Sequence, residues 1–124
     1  MALQLKPIRD QVIVITGASS GIGLTTARMA AARGARVVLA ARNDAELQKL
    51  VAEIQDAGGS ATAVVADVGD EADVRKIADA ATRAFGGFDT WVNDAGVSIY
   101  GRFDEVSLED ARRLFETNFW GVVH

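Results

Sequence analysis

The run Val12-Ile13-Val14-Ile15, followed at once by Thr16-Gly17-Ala18-Ser19-Ser20-Gly21-Ile22-Gly23, constrains this chain more than any other stretch. An unbroken series of β-branched residues reads as a strand buried on both faces. The glycines behind it read as a tight turn, and Leu24-Thr25-Thr26-Ala27-Arg28-Met29-Ala30 as the start of a helix. That order places a helix's unpartnered first N–H groups, and the positive end of its dipole, just beyond the strand. A phosphate binds at such a place for both reasons. Gly17 is expected to permit the turn, Gly21 to let backbone approach a pyrophosphate, and Gly23 to let helix pack on strand. Ser19, Ser20 and Ile22 complete the loop. The spacing is G-x-x-x-G-x-G, which differs from the G-x-G-x-x-G of the commonest dinucleotide fingerprint. A plain strand-to-helix turn is the competing reading.

The same unit recurs down the chain. The first strand is expected at Gln11 to Ile15 and the first helix at Gly21 to Ala32, with Gly34 stopping it. Arg36 to Ala40 reads as a second strand. Asn43 and Glu46 form a capping box for a helix whose apolar face is Leu47, Leu50, Val51 and Ile54. Ala61 to Ala66 reads as a third strand, and Asp70 as the cap of a helix with Val74, Ile77, Ala78, Ala81 and Phe85 on one face. Phe88 to Asn93 reads as a fourth strand. After a loop holding Gly96 and Gly101, Ser107 and Asp110 open a last helix with an apolar arc of Leu108, Ala111, Phe115, Phe119 and Val122. Alternating strands and helices predict an α/β fold, a doubly wound parallel sheet of the Rossmann type, as one domain over residues 1–124.

Ligands of such sheets bind beyond the carboxyl ends of the strands. The residues expected there are the glycine loop, Arg42, Asp67 with Val68, and Asn93 followed by Asp94, Ala95 and Gly96. An NAD site would place an acid near position 41 or 42, to hold the ribose 2′-hydroxyl. Ala41 and Arg42 stand there, and a guanidinium forks a 2′-phosphate, so NADP(H) is expected over NAD(H). A solvated surface arginine is the alternative. Asp67 either caps the following turn or faces an adenine amino group, with the Val68 backbone beside the ring. Ala95 and Gly96 are small enough for backbone to approach a ligand. Asn118 falls within the apolar arc of the last helix, either satisfied by backbone or aimed into the site.

Composition narrows the function classes. With no cysteine, and His124 as the sole histidine, thiolate metal sites, disulfides and a histidine-based triad are excluded within these residues. A net charge of −4 argues against nucleic acid or an anionic membrane as the main partner. No apolar run approaches the roughly 20 residues of a membrane span, so a cytoplasmic, metal-free protein is expected.

Together, Thr16-Gly-Ala-Ser-Ser-Gly-Ile-Gly23, Asp67-Val68, Asn93-Asp-Ala-Gly96 and Asn118 resemble the short-chain dehydrogenase/reductase family, from about residue 8 to 124. The resemblance implies a Rossmann domain that binds NAD(H) or NADP(H) and interconverts a carbonyl and an alcohol in small molecules. It implies that the glycine loop holds the pyrophosphate, that Asp67 and Val68 hold adenine, and that Arg42 signals NADP. It makes Asn118 the catalytic-helix asparagine that anchors a proton-relay water. One departure is Asp94, where the family carries a second asparagine.

The family's catalytic Ser, Tyr and Lys lie beyond the asparagine helix, and no Tyr-x-x-x-Lys occurs here. Tyr100, the only tyrosine, has Asp104 four residues on and reads as a loop or substrate-pocket residue. The chain is thus expected to be the N-terminal half of the fold, inactive alone, from an intact homo-oligomer. A non-catalytic nucleotide-binding module is the rival reading.

Overall fold

The structure, a computed structural model, describes residues 2–124. After a short turn at Ile8–Asp10 come β1 (Val12–Thr16), α1 (Gly21–Ala32), β2 (Arg36–Ala41) and α2 (Asp44–Asp56). They are followed by β3 (Ser60–Val65), α3 (Glu71–Phe85), β4 (Thr90–Val92) and α4 (Leu108–Phe115). The sheet order is β3-β2-β1-β4, and every pairing is parallel. From β1 the chain moves outward through β2 to β3, then α3 carries it back across the sheet to β4 on the other side. The switch of direction lies between β1 and β4, where a crevice opens at the carboxyl ends.

All five residues of β1 are buried, and their alternation builds two cores. Ile13 and Ile15 join Val37, Leu39 and Ala41 beneath α1 and α2, with Ala27, Leu47, Leu50 and Ile54. Val12 and Val14 join Val38 and Ala40 on the opposite face beneath α3, with Ile77 and Ala81. The expected helix starts hold: the Asn43 side chain accepts from the Glu46 N–H at 3.2 Å, and Asp70 accepts from the Ala72 N–H at 2.8 Å, although the Glu46 carboxylate pairs with Lys49 and does not close the box.

Two elements differ from the sequence expectation. The fourth strand covers only Thr90–Val92, where Phe88 to Asn93 was expected. Side-chain contacts tie both of its ends to β1. Asp89 accepts the Val12 N–H at 2.8 Å at one end, and the Thr16 hydroxyl takes the Asp94 N–H at 3.2 Å at the other. The last helix is not uniform either. After α4 it widens into a π turn at Glu116–Trp120 and closes with a short helical turn, α5 (Gly121–Val123). Its inward row is Ala111, Leu114, Thr117 and Gly121. Of the expected apolar arc only Ala111 lies in this row; the others face outward, with Leu108 75 % and Phe115 61 % exposed.

Asp89 ties the N-terminal lead to the sheet. Its carboxylate meets Lys6 Nζ at 2.7 Å and the Val12 N–H at 2.8 Å, and these two contacts, in that order, hold it below the usual carboxylate range. A carboxyl whose folded pKa lies below its unfolded value of about 3.9 adds stability above that value and loses it as pH falls through the folded pKa. Acid titration followed by circular dichroism should therefore show stability falling below about pH 4. Asp89→Asn should flatten part of that fall, and an unchanged acid limb would contradict the assignment.

Candidate functional site

A cleft of about 930 Å³ lies at the carboxyl ends of the strands. Of the residues expected at a ligand site, Gly17, Ser19, Ser20, Gly21, Ile22, Arg42, Asp67, Val68, Ala95 and Gly96 line it. Gly23, Asn93 and Asn118 do not. The cleft also takes in Ala40, Ala41, Asn43, Ala66, Asp94, Val97, Ser98, Tyr100 and Thr117, none of which was assigned to the cofactor. Most of these sit one position from an expected residue; Thr117 required knowing how the last helix returns over the loops.

The glycine loop is shaped by the chain around it. Gly17 has φ +67°, and a Cβ there would stand 2.8 Å from the Ala95 backbone nitrogen. A Cβ on Gly23 would overlap the Gly17 carbonyl oxygen, so Gly23 lets the helix pack on its own loop, not on the strand. Gly21 differs from both. It has φ +55°, and a Cβ there would meet nothing within 4 Å. Its open side belongs to the cleft.

The start of α1 is uncapped. Ser20 is extended, at φ −157°, and its side chain makes no capping hydrogen bond. By contrast α2, α3 and α4 are closed by Asn43, Asp70 and Ser107. The first-turn N–H groups of α1 are therefore left for a ligand in the cleft. This donor set and the bare Gly21 suit an anionic pyrophosphate.

Thr16 braces the floor. Its side chain is 1 % exposed, and its hydroxyl donates to the Val92 carbonyl at 3.4 Å while accepting the N–H groups of Asp94 and Ala95 at 3.2 and 3.3 Å. The loop after β4 is thereby fixed against the glycine loop. Asn93 lies off this surface: its Oδ1 accepts from Trp91 Nε1 at 3.1 Å. The period-two alternation of a strand was the available signal, since residues 91 and 93 share a face.

On the opposite wall, Asp67 fills the turn-capping role expected of it. One carboxylate oxygen accepts the Gly69 N–H at 2.9 Å and closes the turn, while the residue lines the cleft. Its own N–H is taken by Asp73 at 2.9 Å. That hydrogen bond first, and Lys76 second, hold the Asp73 carboxyl below its usual range. Arg42 is exposed on the cleft rim and forms no ion pair among the described residues. The acid two residues on, Asp44, is engaged by Gln48 at 3.1 Å.

Asn118 acts at one remove. Its Oδ1 accepts the Val97 N–H and its Nδ2 donates to the Val97 carbonyl, each at 2.8 Å. This pair fixes Val97, itself a cleft residue. An amide oxygen has a second lone pair and an amide nitrogen a second proton, so each atom keeps one further hydrogen-bonding capacity.

A parallel, doubly wound sheet with a glycine loop and an uncapped helix at its crevice defines a dinucleotide-binding fold. Residues 11–124 match the short chain dehydrogenase family, and the chain belongs to that family of oxidoreductases. It is 58% identical over 122 residues to an uncharacterized oxidoreductase, YxnA, of Bacillus subtilis, covering 98% of this chain and 34% of that one. A short chain dehydrogenase/reductase of Burkholderia phymatum in complex with NAD superposes with a TM-score of 0.93 at 37% identity, over 97% of this chain and 43% of that one. L-sorbose reductase of Gluconobacter frateurii, complexed with NADPH and L-sorbose, gives a TM-score of 0.86 at 32% identity, over 91% and 43%. The chain thus spans less than half the length of these relatives. Among the described residues no helix is long and apolar enough to cross a membrane.

Proposed function

We propose that this chain is the NADP(H)-binding portion of a short-chain dehydrogenase/reductase that interconverts a carbonyl and an alcohol. The observation that carries the reading is the junction of an uncapped α1, a bare Gly21 and a free Arg42 on one cleft. The first-turn N–H groups of α1 bind the pyrophosphate, and Asp67 and Val68 receive the adenine. Ala95 and Gly96 keep the floor low. Bound there, the nicotinamide supplies the hydride chemistry; the protein supplies binding and orientation. Asn118 holds the Val97 wall, and the spare capacity of its amide is what would anchor a relay water. The substrate is a small carbonyl or alcohol that enters near Ser98 and Tyr100. A cytoplasmic homo-oligomer is part of the same proposal. The 124 residues hold no Tyr-x-x-x-Lys to protonate the carbonyl oxygen, so the chain alone is a binding module without turnover.

Solved relatives hold either NAD or NADPH, so cofactor choice rests on Arg42. A guanidinium paired with a 2′-phosphate contributes about 1–3 kcal/mol, or roughly 5- to 150-fold in affinity. Arg42→Asp should weaken NADPH by about that factor and leave NADH within about twofold. Isothermal titration of both cofactors reads it directly, and equal loss of both would sink the assignment.

A further inference from the structure

The last helix touches both loops that wall the cleft, once within its π turn and once just after it. Asn118, within the turn, holds Val97. Gly121, directly after it, meets Val68 across the other wall. Gly121 is buried, and a Cβ built on it would stand 2.6 Å from Val68 Cγ2, 3.1 Å from Val68 Cβ and 3.3 Å from the Val68 carbonyl oxygen. No side chain fits that space without moving Val68, whose own exposure is only 6 %. One turn further on, the His124 ring lies 3.0 Å from the same Val68 carbonyl. π turns inserted in α-helices recur at functional sites, where they re-aim the residues that follow.

We infer that Gly121 is a positioning residue for the adenine-side wall of the cleft, because the space left by its missing side chain is the socket that seats Val68. The inference rests on the cofactor reading above and names the element that sets one wall of that site. A methyl group at position 121 pushes Val68, and with it the Asp67–Gly69 turn, into the space meant for the adenine.

The test uses adenosine 2′,5′-bisphosphate and reduced nicotinamide mononucleotide, which are the two halves of the cofactor, titrated separately into the chain. Gly121→Ala should weaken the adenine-bearing half about tenfold and leave the nicotinamide half within about twofold. General loosening of the fold would weaken both. Gly121→Ala combined with Val68→Ala removes the 2.6 Å contact and should recover affinity relative to Gly121→Ala alone. Should Gly121→Ala fail to fold, the double variant should fold, and its failure would overturn the inference. Unchanged binding of the adenine half by Gly121→Ala would overturn it as well, as would purely additive effects in the pair. A parent chain that binds neither half would instead refute the cofactor reading itself.

Discussion

Gly23→Ala should lower the stability of the chain by about 1–3 kcal/mol, the usual cost of forcing an extra carbon into a packed site. The new methyl group would overlap the Gly17 carbonyl oxygen and lie 2.8 Å from Asp94 Oδ2, and Gly23 is buried in the first turn of α1. The carbonyl cannot retreat cheaply, because Gly17 is itself pressed against the Ala95 backbone. Relief has to come from the loop as a whole, so NADPH affinity should fall with stability. Gly21→Ala is the matched control. Its methyl meets nothing within 4 Å, and only the strain of φ +55° remains, about 1–2 kcal/mol. In that variant affinity should fall by more than stability predicts, since the filled space is the one assigned to the pyrophosphate. Urea denaturation beside cofactor titration separates the two. Equal behaviour of the variants would contradict the division of labour among the glycines.

Thr16→Val should have a comparable effect through a different cause. The replacement keeps shape and β-branching but removes a hydroxyl that serves three backbone groups at 3.2–3.4 Å. The N–H groups of Asp94 and Ala95 would lose their partner in a partly buried site, at about 1–3 kcal/mol. The long distances favour the lower part of that range. Thr16→Ser keeps the hydroxyl and should retain most of the stability. The loop after β4 would also lose its anchor, so amide exchange should rise at residues 94–97 in Thr16→Val and stay slow in Thr16→Ser. A Thr16→Val chain with unchanged stability and protection would show the contact to be idle.

Much of this was legible in the sequence because it is local. Hydrophobic period and glycine punctuation gave the element order, and Asn43, Asp70 and Ser107 marked three helix starts. Arg42, Asp67, Val68, Ala95 and Gly96 follow from counting to the ends of strands. What escaped depends on partners distant in the chain. Thr16 read only as the opening residue of the glycine motif, and only the approach of residues 92–95 gives its hydroxyl a purpose. Past Val92 the Thr16 hydroxyl takes the Asp94 and Ala95 N–H groups, whereas at the other end the Asp89 N–H still reaches the Val12 carbonyl at 2.9 Å. The π turn at Glu116–Trp120 could not be read from propensity, since middling helix formers such as Thr117, Phe119 and Trp120 do not tell a π turn from an ordinary one. The covered row, Ala111, Leu114, Thr117 and Gly121, runs through it on one side of the helix, while Phe115, ahead of the turn, faces out.

The central claim is that the cleft at the strand ends holds NADP(H), chosen by Arg42. Isothermal titration of the chain with NADPH and NADH under identical buffer tests it most directly. One site per chain is predicted, with NADPH bound roughly 5- to 150-fold more tightly than NADH. Equal or tighter binding of NADH, or no binding of either, would contradict it.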